Sequence, residues 1–192
     1  MNVLLSLLLI LAPVKLERGQ FTILKDGQKI GTEDFSIVRR GTGYLVEGKT
    51  TIGERTVSSQ MELDDKLAVV SYQVSTAEGS LSVKITSPVS ELQSVVNGQT
   101  SSADFRFPPG GIILDDDFFH HYLILMYRVA AGQNSFAVFV PQETKNGTAT
   151  VRRTGSGMYD VEAGDVRLKA TTDADGRLTR LVVPSANVVV QR

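Results

Sequence analysis

From Gly19 onward, the apolar residues of this chain recur at every second position. In "TVSSQMEL", Val57, Ser59, Met61 and Leu63 fall on one side of an extended strand, and Thr56, Ser58, Gln60 and Glu62 on the other. "SLSVKIT" sets Leu81, Val83 and Ile85 against Ser80, Ser82, Lys84 and Thr86. "DVRLKAT" sets Val166, Leu168 and Ala170 against Arg167, Lys169 and Thr171. Successive side chains of a strand point to opposite faces, so this period makes one buried and one wet face. That is the mark of antiparallel sheet.

Turn signals punctuate the strands at short intervals: "KDGQ" (25–28), "RGTG" (40–43), "LDDK" (63–66), "AEGS" (77–80) and "VNGQ" (95–98). Later come "KNGT" (145–148), "TGSG" (154–157), "EAGD" (162–165) and "DADG" (173–176). Asn-Gly and Asp-Gly supply the positive φ angles of tight hairpins. Strands in sequence-neighbour order make a meander the economical topology.

One segment breaks the pattern. "LDDDFFHHYLILMYR" (114–128) follows the breaker "PPGG" and precedes "AAGQN", with Gly132 placed as a C-terminal cap. Phe118, Tyr122, Leu125 and Val129 share a helical stripe, and Phe119, Leu123 and Met126 the next. A helix over about 116–130 is expected, with Asp115 or Asp116 capping it and the acids at the positive end of its dipole. "SFAVFVP" (135–141) is apolar on both faces and reads as a central strand. The expected fold is mainly β: a single curved antiparallel meander, an unclosed barrel of about 11–14 strands, with one internal helix on its concave face. About eight strands precede the helix and about six follow it. Residues 19–192 form one domain.

Composition narrows the function. A net charge of −1, no Trp and few aromatics argue against a nucleic-acid partner. No Cys is present, which removes disulfides, thiolate nucleophiles, Cys-based zinc sites and a lipidated cysteine. Val3–Leu11 is an apolar run of signal-peptide length, too short to span a bilayer, so residues 1–14 read as a signal or apolar leader. A periplasmic or secreted location follows as the expectation.

"GQFTILKDGQKIGTEDFSIVRRGTGYLVEGK" (19–49), with "LDDDFFHHYLILMYRV" followed by "FAVFVPQE", resembles bacterial envelope domains of unknown function. These are related in fold to the half-barrels of the periplasmic lipoprotein carriers and their outer-membrane acceptors. The resemblance implies an unclosed antiparallel barrel with a helical plug, an envelope location and an apolar ligand. It transfers no catalytic residue.

The chemistry-bearing residues are few. His120 and His121 are the only histidines. On a helix, Asp116 with His120 and Asp117 with His121 would be i,i+4 pairs, a candidate metal site. Adjacent histidines diverge by about 100°, so sharing one ion is difficult. A serine hydrolase would need one of them as base, and no G-x-S-x-G elbow is present. "DADG" starts like a calcium loop, but position twelve is Pro184. No catalytic residue and no cofactor is assigned.

The remaining idea is an apolar ligand held between helix and sheet. Its candidate lining is Phe118, Tyr122, Leu125 and Met126, facing Leu81, Val83 and Ile85, or Phe136 and Val138. The leading expectation is a non-enzymatic protein binding a lipid or other apolar molecule. The alternatives are an envelope scaffold that binds a protein partner around a solid core, and an enzyme using the Asp/His segment.

Overall fold

The computed structural model describes residues 16–192. The apolar run Val3–Leu11 and the leader expected over 1–14 lie outside the described residues. The described chain forms one unclosed sheet of fifteen strands with a single α-helix. Nine strands precede the helix, the first eight being β1 (Glu17–Lys25), β2 (Gln28–Arg40), β3 (Gly43–Ile52), β4 (Arg55–Leu63), β5 (Val69–Ser75), β6 (Gly79–Lys84), β7 (Ser90–Val96) and β8 (Gln99–Phe105). A two-residue strand, β9 (Ile112–Ile113), leads into α1 (His121–Ala130). Six follow: β10 (Ser135–Val140), β11 (Lys145–Gly155), β12 (Met158–Ala163), β13 (Val166–Thr172), β14 (Leu178–Val183) and β15 (Val188–Gln191).

The spatial order is β8-β7-β6-β5-β4-β3-β2-β1-β15-β14-β13-β12-β11-β10-β9. Each half is a hairpin meander, and the halves join where β1 pairs antiparallel with β15. All pairings are antiparallel except β9–β10, which is parallel. This short strand takes the count past the expected 11–14.

The inner face is built in cross-strand rows. Ile37, Val46, Met61, Tyr72, Val83 and Leu92 form one across six strands, and all are buried. Such opposed pairs are the unit of sheet stabilisation.

Three expectations need correction. First, the helix begins at His121, not near residue 116. Asp115 Oδ1 instead accepts the Asp117 amide (3.1 Å) and the Asp115 carbonyl accepts the Phe118 amide (3.2 Å), so residues 115–118 form a turn. The N-cap is His120, without a side-chain cap, and the first helical turn holds no acid. Second, burial on the helix extends beyond the expected stripes. His121, Leu123, Ile124, Leu125 and Met126 are buried, whereas Tyr122 and Val129 are only partly so. A helix buried on several sides suits a plug inside a curved sheet. Third, β10 is next to the edge, not central. Its second face is covered by side chains from the far end of the sheet: Phe105 stacks on Phe139 at 4.2 Å between ring centroids, and Phe107 meets Phe139 edge-on at 6.1 Å.

The helix ends as the sequence implies. Gly132 takes φ +94°, its amide bonds the Val129 carbonyl (2.9 Å), and the Gln133 amide bonds the Arg128 carbonyl (3.1 Å). This pair of bonds is the Schellman arrangement.

Candidate functional site

Two features meet at segment 114–122, a buried polar centre and an apolar cleft. The centre begins with four residues of β2–β4. Glu33 on β2 faces Thr50 on β3, and Gly48 faces Ser59 on β4. All point inward, where no water reaches Glu33. The carboxylate is therefore answered by donors. Its Oε1 accepts the His120 amide (2.6 Å) and faces His120 Nδ1 (2.9 Å). Its Oε2 accepts the Phe119 amide (2.8 Å) and the Thr50 hydroxyl (3.0 Å). Glu33 thus supplies, from a distant strand, the negative charge that the local aspartates were expected to bring to the helix N-terminus.

The His120 ring occupies a slot over Gly48, where a Cβ would come within 2.1 Å of the ring. Its Nε2 is 3.3 Å from Ser59 Oγ. A neutral imidazole that donates from Nδ1 to Glu33 and accepts at Nε2 from Ser59 satisfies both nitrogens.

A second node lies alongside. The Tyr72 hydroxyl donates to Asp115 Oδ2 (2.5 Å) and lies in hydrogen-bonding reach of Ser59. Burial, then the Asp115 charge, pushes the Tyr72 hydroxyl far up, so it remains a donor. Burial likewise raises the Asp115 carboxyl. His121 Nδ1 accepts the Asp115 amide (3.3 Å), which puts the imidazole proton on a buried Nε2 that has no partner. Burial, then neighbouring His120, holds His121 well below the usual imidazole range.

Glu33, His120 and Ser59 reproduce the order of contacts of a nucleophile–base–acid relay. Chemically they serve as a clamp. His120 and Glu33 are fully buried, Ser59 is 3% exposed, and none of the three lines the cleft that adjoins this segment. Both carboxylate oxygens are also committed to backbone amides of the segment they hold.

The metal candidates are drawn apart by the same contacts. Residues 115–120 are not helical, so Asp116/His120 and Asp117/His121 do not form i,i+4 pairs. Asp117 accepts from the two terminal nitrogens of the Arg55 guanidinium (2.7 Å each), and both ring nitrogens of His120 are engaged. No group of three or more His, Asp or Glu side chains suited to a metal ion occurs among the described residues.

The cleft lies against the other side of this segment and has a volume of about 570 Å³. One wall is Leu114, Phe118, Phe119 and Tyr122. The facing wall comes from the C-terminal half-sheet: Val138, Val140, Val166, Leu168, Val183 and Val188. Its charged lining is Asp115, which is buried, and Asp116, Glu143, Lys145 and Asp165 at its exposed edge, drawn from segment 114–122 and the β10–β11 and β12–β13 turns. Of the expected lining, Phe118, Tyr122 and Val138 meet here. Leu125, Met126 and Phe136 are buried in the core instead. Leu81 packs partly buried against the core of the other half; Val83 and Ile85 border a separate depression of about 520 Å³ with Gln60, Gln73 and Glu91. Sequence reasoning missed the valine wall, although "LVVPSANVVV" is apolar at consecutive positions and so on both faces.

No helix among the described residues is long and apolar enough to cross a membrane. No family model matches the chain, and no similar protein was found among curated proteins or solved structures.

Proposed function

We propose that this protein is a non-enzymatic binding module that takes an alkyl-bearing, lipid-like molecule into the cleft between segment 114–122 and the C-terminal half-sheet. The observation that carries this is the cleft itself: about 570 Å³ between apolar side chains of segment 114–122 and of the C-terminal half-sheet. That volume falls within the roughly 300–1,000 Å³ usual for small-molecule sites. The driving force is removal of alkyl surface from water, worth about 0.8 kcal/mol per buried methylene. The Glu33–His120 clamp holds the wall that carries Phe118 and Phe119, so the cleft is preorganised and little ordering is left for binding. The apolar run Val3–Leu11 and the resemblance to envelope half-barrels support a periplasmic or secreted setting.

The chain has no Trp, so Phe119→Trp places a single indole reporter on the cleft wall. Its fluorescence should titrate saturably with 1-octanol and then 1-decanol, each added methylene tightening binding by up to about fourfold. A flat or linear response to both alcohols would point instead to a filled-core interaction module. Mass spectrometry of gently extracted protein should show a co-purified lipid.

A further inference from the structure

The charged lining of the cleft is electrostatically one-sided. Four of its side chains are carboxylates and one is a lysine. Lys145 is spoken for by Glu143, 2.7 Å away. Asp115 is also occupied, accepting from Tyr72 and from the Asp117 amide. Asp116 and Asp165 remain, exposed, and neither has a hydrogen-bond or ion-pair partner among the described residues.

Asp116 feels this surplus. Burial against the wall, then repulsion from Glu143 and Asp117, raises its carboxyl above the ordinary range. Beside it, burial and then Asp116 push the Tyr122 hydroxyl up to about 12. The entrance therefore carries uncompensated negative charge at the edge of an apolar chamber. A fatty carboxylate or a phosphate head would add to that charge, whereas an ammonium head would answer it.

We propose that the ligand is a cationic amphiphile, its alkyl body in the cleft and its amine head between Asp116 and Asp165. This rests on the cleft being the ligand site, and adds the chemical class of the head. A solvated ion pair contributes modestly and weakens with salt, so the preference is expected to be small but measurable.

Three probes of equal chain length separate the two readings in Phe119→Trp protein: 1-octanol, octylammonium and octanoate. Octylammonium should bind on the order of fivefold tighter than 1-octanol at low salt, and octanoate more weakly than either. The spread should narrow in high salt and collapse in the Asp116→Asn/Asp165→Asn double variant. Octanoate binding as tightly as octylammonium, or a preference that survives in the double variant, overturns the head-group assignment while leaving the apolar site intact. Failure of all three probes removes the cleft reading and this one with it.

Discussion

A carboxylate with no access to water is tolerated only where donors surround it, and Glu33 collects four. Glu33→Ala strands two backbone amides and an imidazole inside the protein, while the Thr50 hydroxyl keeps the Asp117 carbonyl as acceptor (2.9 Å). It is expected to cost about 3–5 kcal/mol in urea unfolding, far beyond an exposed Glu→Ala. Gly48→Ala should act on the same centre from beneath, since its methyl would occupy the His120 slot. Paired with His120→Ala, its cost should fall below the sum of the single variants by about 1 kcal/mol or more.

His121 makes the same region sensitive to acid. The folded chain keeps it neutral, while the unfolded chain protonates it near pH 6.5. The unfolded state then binds more protons, so stability falls as pH drops below about 6.5, by up to about 1.4 kcal/mol per unit from this residue. Asp115 works the other way at lower pH. Its carboxyl is raised on folding, so its protonation favours the folded state as pH approaches about 4. Urea unfolding at pH 7.5, 6.0 and 5.0 should show the decline, and His121→Leu should flatten it whatever its overall stability.

At this scale the buried centre was partly written in the sequence. Glu33 is in phase with Phe35 and Ile37, Thr50 and Gly48 with Val46, and Ser59 with Val57 and Met61. A polar or missing side chain in register with an apolar face announces an inward partner. Naming that partner as His120 needed contacts across 61 to 87 residues, which no local pattern carries.

Among the elements, the helix shows what decides a boundary. Apolar spacing located it and Gly132 marked its end. Its start was misplaced because Asp115, Asp116 and Asp117 look like first-turn acids. Each is drawn elsewhere, Asp115 to Tyr72 and its own turn, Asp117 to Arg55, and Asp116 to the cleft rim. The acid at the helix entrance comes from β2 instead. The C-terminal cap, by contrast, depends on backbone alone. At φ +94° a side chain is strained, so Gly132→Ala is expected to lower stability by about 1 kcal/mol, read as a shift of the unfolding midpoint with an unchanged m-value. Strand β10 teaches the complementary lesson. Apolarity on both faces signalled that it was covered, but could not say by what. The cover is an aromatic seam from Phe105 and Phe107, not further strands.

For the molecule as a whole, hairpin signals were enough for the meander, because turn chemistry and period are local. The meeting of β1 with β15 was not legible, since it joins residues about as far apart in the chain as the described segment allows. That meeting places the first and last described strands side by side, with the Arg192 guanidinium 2.8 Å from the Glu17 carboxylate. In their sequence of neighbours the described strands therefore form a series of hairpins that is closed between β1 and β15 by pairing alone and ends at the β8 and β9 edges. The chain should accept circular permutation. A short Gly/Ser linker from residue 192 to residue 16, with new ends between Ala174 and Asp175 in an exposed turn, preserves every strand neighbour. The equilibrium fold is expected to survive, while the one pairing that must await a large loop closure moves from β1–β15 to β13–β14. Pulse-labelled hydrogen exchange during refolding should show the last strands to gain protection shifting to β13 and β14; unmoved protection would mean that chain connectivity does not set the order of assembly.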